Sequence, residues 1–267
     1  MRLLLLLLTL MQSSNSFAQQ VGILSIVLDD MGYNRSDLQA LSLPKEISFS
    51  ILPFTPLGKL LAKKAHQQGR ELLLHIPMEA KSNNSKLGKG ALMVAMQEKE
   101  FKATLKRSLH FLPDAQGINN HMGSRLTEQI TPMRWTMEVL KKQGLYFLDS
   151  RTSRQTIAEI SAKTSGIPAL RRHVFLDNIK TEEAINKEFQ RAIRLTKTNK
   201  AVVIIAHPYP VTLRFLQNKF TKTTTNLKLI TLSQLIPETQ RLALAQKKSK
   251  FQQANNRTAT NIFSQTQ

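Results

Sequence analysis

LSIVLDD, residues 24–30, is an apolar run that stops on two aspartates, and the same pattern recurs along the chain. The other runs with such an ending are ELLLH (71–75), GINNH (117–121), YFLDS (146–150), VFLD (174–177) and VVIIAHP (202–208). Strands that are buried on both faces lose their polar alternation, so these runs indicate a parallel sheet covered by helices. The carboxyl ends of parallel strands meet at one crevice, where the terminal aspartates and histidines are expected to converge.

The segments between the runs have the spacing and the end signals of helices. We predict helices at 57–68, 98–112, 133–143 and 182–195, and further strands at 47–52 and 227–231. Residues 82–90 are rich in Asn, Ser, Gly and Lys, which predicts a loop on the face that carries the site. Strands that alternate with helices favour an α/β fold.

The two ends of the chain differ in composition from its centre. Met1-Arg2, the apolar stretch 3–11 and Ser16-Phe17-Ala18 have the pattern of a secretory signal peptide that is cleaved after Ala18. The alternative is an uncleaved membrane anchor, but a spanning helix needs about 20 apolar residues. Residues 238–267 have few large apolar side chains and are predicted to form a helix fragment that fades into a basic, disordered tail. The predicted organisation is a signal peptide (1–18), one domain (19–237) and the tail (238–267), in a periplasmic or secreted protein.

Cysteine is absent from the chain, and the formal net charge is +20. Without cysteine, thiolate nucleophiles and cysteine-based zinc sites are excluded, and His, Asp and Glu remain as strong metal ligands. The positive charge indicates either a well-solvated surface or attraction to an anionic surface of the cell envelope. Nucleic acid is not an expected partner, because the signal peptide directs the chain away from it and no recognisable nucleic-acid-binding motif is present.

Six fragments of the chain together resemble a known family. They are IVLDDMGYN (26–34), SFSILPFTP (48–56), LLLHIPMEA (72–80), INNHMGSRLT (118–127), FLDSRTS (147–153) and AHPYP (206–210). In this order they resemble the divergent polysaccharide deacetylases, which are exported bacterial relatives of the metal-dependent chitin and peptidoglycan deacetylases. The resemblance spans about residues 21–237. It implies a distorted (β/α) barrel with fewer than eight parallel strands.

The resemblance implies that Asp29 is a general base and Asp30 a metal ligand, because the related enzymes have an adjacent aspartate pair at the end of the first strand. His75 matches a metal-binding histidine of the third strand. A second metal-binding histidine is expected one helical turn later, where this chain has Glu79. Glu79 either binds zinc through oxygen or forms a salt bridge with a lysine.

His121 stands where the related enzymes have their fourth-strand motif. We predict that Asp30, His75 and His121 together bind zinc or another divalent metal ion. The alternative is that His121 is a loop histidine in a turn that begins at Asn119-Asn120. Arg125 is predicted either to neutralise a carboxylate or to hold a developing oxyanion.

His207 matches the general acid of the related enzymes. Its alternatives are a strand-end histidine held by backbone carbonyls before Pro208 and a fourth metal ligand. Asp149 matches an acidic residue of the fifth strand that orients a histidine or the base, and its alternative is to cap the turn into Ser150. We interpret Asp177 mainly as a helix or turn cap.

Two functions follow from these residues. The first is an exported metal-dependent hydrolase that removes acetyl groups from an amino-sugar polysaccharide, with peptidoglycan-like glycans among its expected partners. The second is a non-catalytic envelope protein that keeps the barrel and binds a glycan or a protein partner. The glutamate at position 79 and the charge of +20 favour the second function, whereas the convergence of the aspartates and histidines favours the first.

Overall fold

The computed structural model describes residues 21–221 and 226–264. The predicted signal peptide and its cleavage site lie outside the described residues. Among the helices that are described, none combines the length and the apolar composition that are needed to cross a membrane.

Within residues 21–221 and 226–264, nine parallel strands form the centre of the fold. They are β1 (Gly22–Met31), β2 (Ser48–Ile51), β3 (Leu72–Met78), β4 (Gly117–Met122), β5 (Tyr146–Asp149), β6 (Ala169–Arg171), β7 (Val174–Phe175), β8 (Val202–Ala206) and β9 (Leu227–Leu229). The strand order is β6-β5-β4-β3-β2-β1-β8-β7, and β9 pairs with the start of β1.

Helices follow most of the strands, as the alternating pattern predicts. They are α1 (Gly58–Gln67), α2 (Glu98–Phe111), α3 (Ile130–Gln143), α4 (Ala158–Thr164), α5 (Glu182–Leu195), α6 (Pro210–Thr221) and α7 (Glu238–Ser264). Short 3₁₀ helices lie at Arg35–Ser42, Asn84–Lys86, Leu126–Glu128 and Ser233–Leu235.

The two short strands β6 and β7 share one position in the barrel. Between them, the backbone N–H of Arg172 donates to the carbonyl of Asp149 in β5 (2.9 Å), and that of His173 donates to the carbonyl of Val203 in β8 (2.9 Å). Residues 169–175, which contain β6 and β7, therefore connect the two ends of the sheet. With β6 and β7 counted as one position, β1 to β8 occupy seven positions, and the predicted distorted barrel is confirmed.

Two apolar clusters lie on the two sides of the strands. Leu24, Ile26 and Leu28 of β1 belong to the larger cluster, which packs against the helices, whereas Val27 belongs to the smaller one. Successive side chains of a strand point to opposite faces, so the smaller cluster fills the barrel interior. Because both faces are apolar, the strands lack the alternation of a half-exposed sheet.

The predicted helix fragment at the start of the tail is the helix α7, which extends over most of that segment. Its 27 residues contain neither Gly nor Pro, and Ala, Leu, Gln, Lys and Arg are good helix formers. Leu244 packs against the interior cluster, and Lys248 Nζ donates to the carbonyl of Ala115 (2.6 Å). Composition alone did not reveal how far this helix extends or that it docks, because a few well-placed apolar contacts are enough to dock a mostly polar helix.

Candidate metal centre

Three side chains from three strands meet at the carboxyl end of the barrel. Asp30 Oδ1 lies 2.7 Å from His121 Nδ1 and 3.1 Å from His75 Nε2. One ligand atom from each of these residues lies within 4.8 Å of the others. The strands β1, β3 and β4 end at the same edge of the sheet, which is why residues 45 and 46 positions apart meet here.

Asp30 reaches this cluster because the backbone turns at this residue. Its φ is +59°, in the left-handed region that non-glycine residues rarely adopt. In a regular strand, Asp29 and Asp30 would point to opposite faces. The register of β1 and β2 shifts between Leu28 and Met31, and the turn lets both carboxylates approach His75.

Asn119 connects the cluster to Asp29. Its Nδ2 donates to both carboxylate oxygens of Asp29 (2.9 and 3.0 Å), and its Oδ1 accepts from His75 Nδ1 (2.9 Å). The amide is further held by Ser50 and Ser150. With one proton held on Nδ1 by Asn119, His75 can exchange the Nε2 proton that faces Asp30 for a metal ion, and the Nδ1-protonated tautomer is the one that such a ligand requires.

Asn119 is not among the predicted site residues, and Asn119-Asn120 is considered only as the start of a turn in the alternative for His121. Both residues lie in β4 and are buried. Asn119 lies two residues before His121 on the same face of the strand. This spacing indicates that both side chains point toward the same site. The loop alternative for His121 also fails, since the histidine is part of the strand.

The donor set fits a divalent metal ion. A carboxylate and two histidines are typical ligands of catalytic zinc sites, which leave further coordination positions open for water or substrate. Metal-binding histidines usually donate their second ring N–H to a partner, and Asn119 is such a partner for His75.

The pKa values of the two adjacent aspartates are shifted in opposite directions. Burial would raise the pKa of Asp30, but hydrogen bonds from His121 and His75 outweigh burial and hold this pKa well below its usual range. Burial raises the pKa of Asp29, and the charges of His75 and His207 only partly oppose this effect. Asp30 therefore stays ionised and is suited to bind a cation. Asp29 binds a proton more readily.

His207 lies on the other side of Asp30 and is oriented by Asp177. Its Nδ1 lies 2.8 Å from Asp177 Oδ1, and its Nε2 lies 3.8 Å from Asp30 Oδ2. Asp177 Oδ2 also accepts from the backbone N–H of His207 (2.7 Å) and from Thr212 (2.8 Å). Burial lowers the pKa of His207, but the hydrogen bond and the charge of Asp177 outweigh it and raise the pKa to about 9.

Asp177 therefore does more than the predicted capping. It follows an apolar run as the other site residues do, so the pattern itself contained this signal. Its contact with His207 joins residues 30 positions apart, which no local spacing indicates.

Three other predicted residues make their contacts outside this cluster. Asp149 accepts from the backbone N–H of Arg151 (2.8 Å) and from Thr156 (3.0 Å), which is the turn-capping alternative. Arg125 forms an ion pair with Glu79 (2.9 Å), and Glu79 also accepts from the backbone of Val94 (2.6 Å). Arg125 thus neutralises a carboxylate outside the cluster of Asp30, His75 and His121, and the partner of Glu79 is an arginine instead of a lysine.

Arg172 is a cation near Asp29 that sequence reasoning did not select. Its Nε donates to the carbonyl of Ser150 (2.6 Å), and its guanidinium lies 3.8 Å from the ring centre of Phe175. Burial and the charge of Arg151 lower the pKa of Arg172 to about 10, and the charges of Asp149 and Asp29 oppose this only in part. Nothing in the sequence distinguishes it from its neighbour Arg171.

Comparison with known proteins places the chain in a family. Over 220 residues it is 38% identical to the uncharacterized protein YibQ of Escherichia coli (strain K12), covering 82% of this chain and 69% of the relative. It is 35% identical over 210 residues to an uncharacterized protein of Haemophilus influenzae, covering 78% and 74% of the two chains.

A crystal structure of an uncharacterized protein from Agrobacterium tumefaciens C58 has the same fold. It superposes with a TM-score of 0.77 at 22% identity, covering 82% of this chain and 91% of that chain. The family model of divergent polysaccharide deacetylases matches residues 26–236. The chain belongs to the divergent polysaccharide deacetylase family.

Proposed function

We propose that this protein is an exported, metal-dependent hydrolase that removes acetyl groups from an amino-sugar polysaccharide. The observation that carries the proposal is the meeting of Asp30, His75 and His121 within 4.8 Å, with Asp29 and His207 beside them. Family membership supports the reaction class, and the donor set supports the use of a metal.

The chemistry requires an electrophile activator, a base and an acid. Zinc or another divalent ion held by Asp30, His75 and His121 would polarise the acetyl carbonyl and lower the pKa of a water molecule. Asp29 accepts the proton of the attacking water, since its raised pKa increases its basicity. Asn119 holds both oxygens of Asp29 and thereby orients this base.

His207 supplies the proton for the departing group. Its pKa of about 9 keeps the imidazole protonated at neutral pH. As the bond between the acetyl carbon and nitrogen breaks, His207 protonates the nitrogen, and acetate and a free amino sugar are released. Asp177 fixes the ring so that Nε2 faces the cluster and stabilises the imidazolium.

A polysaccharide of the cell envelope is the proposed substrate class. The proposal combines family membership with the signal peptide pattern, which directs the chain out of the cytoplasm. Mass spectrometry of the protein from its native envelope is expected to show an N-terminus at Gln19. An intact Met1 in that preparation would contradict cleavage and favour an anchored protein.

The adjacent aspartates allow a sharp test of the site. Asp29→Asn is expected to retain the metal and lose about 10² to 10⁴ in turnover, the usual contribution of a positioned proton-transfer group. Asp30→Asn is expected to lose metal as well as turnover, because it removes a charged ligand. Elemental analysis and acetate release from chitooligosaccharides and peptidoglycan measure the two effects.

Asp149→Asn is the matched control, since it removes a buried strand-end carboxylate whose hydrogen bonds go to the turn that follows β5. It is expected to keep the metal and the turnover even if the melting temperature falls. If the parent binds a glycan but releases no acetate, and both Asp29→Asn and Asp30→Asn leave metal content unchanged, the non-catalytic envelope function replaces this proposal.

A further inference from the structure

A groove of about 710 Å³ lies between α2, α3 and α7, apart from the metal centre. This volume is within the range of roughly 300 to 1,000 Å³ that is typical of small-molecule sites. Leu109, Leu112, Val139 and Leu145 line it with apolar side chains. Leu145 directly precedes β5, at the opposite end of that strand from the site, so this part of the groove is remote from the proposed chemistry.

Basic side chains surround these apolar residues. Lys106, Arg107, Lys142 and Lys248 line the groove, and none of the described residues that line it is acidic. The groove therefore combines an apolar interior with a positive potential, which attracts an anion.

Lys248 is the cation best placed to bind an anionic group inside the groove. It is half-buried, and its Nζ donates to the neutral carbonyl of Ala115 (2.6 Å). Burial lowers the pKa of Lys248, and the charge of Asp114 opposes this only in part. An ammonium group that is removed from water gains from an anionic partner, because burying a charge without one is costly.

We propose that this groove binds a fatty acid, with the carboxylate at Lys248 and the acyl chain against Leu109, Leu112 and Val139. A polar glycan does not match the apolar residues, and a neutral apolar ligand brings no anion to the four basic residues that line the groove. A second copy of the chain is disfavoured as the occupant, because two chains of net charge +20 repel each other. The inference is independent of the proposed function, since no metal-centre residue lines the groove.

The test compares three ligands that share one chain and differ in the head group. Dodecanoate, dodecanol and dodecyltrimethylammonium are titrated into the purified protein by calorimetry, below micelle-forming concentrations. Dodecanoate is expected to bind at one site per chain, at least about tenfold more tightly than the other two, because only its head group is complementary to the basic residues. It is also expected to raise the melting temperature, as a ligand of the folded state does.

Two lysines of α7 provide a matched pair of variants. Lys248→Met is expected to weaken dodecanoate binding about fivefold to tenfold, because the anion loses its partner. Lys250→Met removes the same charge from an exposed position of α7 outside the groove and is expected to leave the affinity unchanged. Melting curves without ligand show whether both variants are folded.

Several results would overturn the inference. Equal affinity for dodecanol would indicate an apolar cavity that does not recognise an anion. Equal weakening by Lys248→Met and Lys250→Met would indicate attraction to net charge alone. Binding to anionic phosphatidylglycerol vesicles with no saturable dodecanoate site would indicate a membrane surface instead, and a dimer that dodecanoate does not dissociate would indicate a second copy.

Discussion

At the scale of single residues, the backbone of Asp30 decides what the aspartate pair can do. An extended strand would place one of two adjacent carboxylates in the barrel and the other outside it. The φ of +59° at Asp30 redirects its side chain toward His75 and His121, while Asp29 stays buried against Asn119. A non-glycine residue in this region is strained, and such strain is often found at functional sites.

Asn119 is expected to position the metal ligand His75 without binding the metal. Asn119→Ala removes the acceptor for His75 Nδ1, so we expect metal affinity to fall about 10- to 100-fold, as for other outer partners of ligands. Ser50→Ala removes a second hydrogen bond to the same amide oxygen and is expected to have a smaller effect. Competition with a zinc chelator measures both variants. Unchanged metal affinity in Asn119→Ala would show that the amide only fills space.

At the scale of elements, Gly144 lies at the end of α3, where the backbone of α7 packs against it. It ends α3 with a φ of +68°. A Cβ there would lie 2.5 Å from the carbonyl oxygen of Leu244 and 2.7 Å from the backbone nitrogen of Lys248. Glycine is therefore required both by its conformation and by the close approach of the α7 backbone.

Gly166 has the left-handed conformation of Gly144 but not its close contacts, so the two glycines separate these two requirements. Its φ is +70°, and among the described residues none beyond its chain neighbours has an atom within 4 Å of the position that a Cβ would take. Gly166→Ala is expected to cost about 1 kcal/mol in free energy of unfolding, which is the cost of the left-handed conformation alone. Gly144→Ala is expected to cost about 1 to 3 kcal/mol more, because the methyl group displaces α7. Urea unfolding measures both. Equal costs would show that α7 does not pack on Gly144 in solution.

At the scale of the whole molecule, Glu71 holds the end of the barrel opposite the metal centre. Its carboxylate accepts from Ser48 of β2 (2.9 Å), from the hydroxyl of Tyr146 of β5 (3.0 Å) and from the backbone N–H of Ser233 (3.0 Å). These bonds tie two strands to the segment that leads into α7. Burial raises the pKa of Glu71, and the hydrogen bonds from Ser233, Ser48 and Tyr146 oppose this only in part.

The raised pKa predicts how stability depends on pH. The folded state binds the proton of Glu71 more tightly than the unfolded state, so ionising this group costs stability as pH rises from the ordinary glutamate pKa through the raised one. Glu71→Gln is neutral at every pH and can bond to the same three partners. We expect its melting temperature to equal or exceed that of the parent at pH 7.

The advantage of Glu71→Gln is expected to shrink as pH falls toward the ordinary glutamate pKa, where the parent carboxyl becomes neutral as well. Glu183→Gln removes a charge from an exposed position and is the control, with a small difference from the parent. Melting curves across pH measure the effect. A loss of stability in Glu71→Gln that stays constant with pH would show that its hydrogen bonds outweigh the cost of burying its charge.

The sequence by itself determined the barrel and the residues that meet at its mouth. The apolar runs show strands that are buried on both faces, and parallel strands bring their carboxyl ends to one edge. These two facts predicted that the strand-end aspartates and histidines converge, and the resemblance to the deacetylases selected Asp29, Asp30, His75, His121 and His207 among them. The helices and strands between the runs followed from local spacing and end signals, which depend on neighbouring residues alone.

Only the tertiary structure decided which side chains support that group. Asn119 contacts Asp29 across 90 residues, and Asp177 contacts His207 across 30, so both depend on which strands are neighbours in the sheet. Asp149 ends a strand of the same pattern, yet its side-chain hydrogen bonds stay within the following turn. The docking of α7 likewise depends on a surface that exists only in the folded barrel. Hydrogen-bond partners and helix packing depend on distances in space. Local sequence patterns do not indicate these distances.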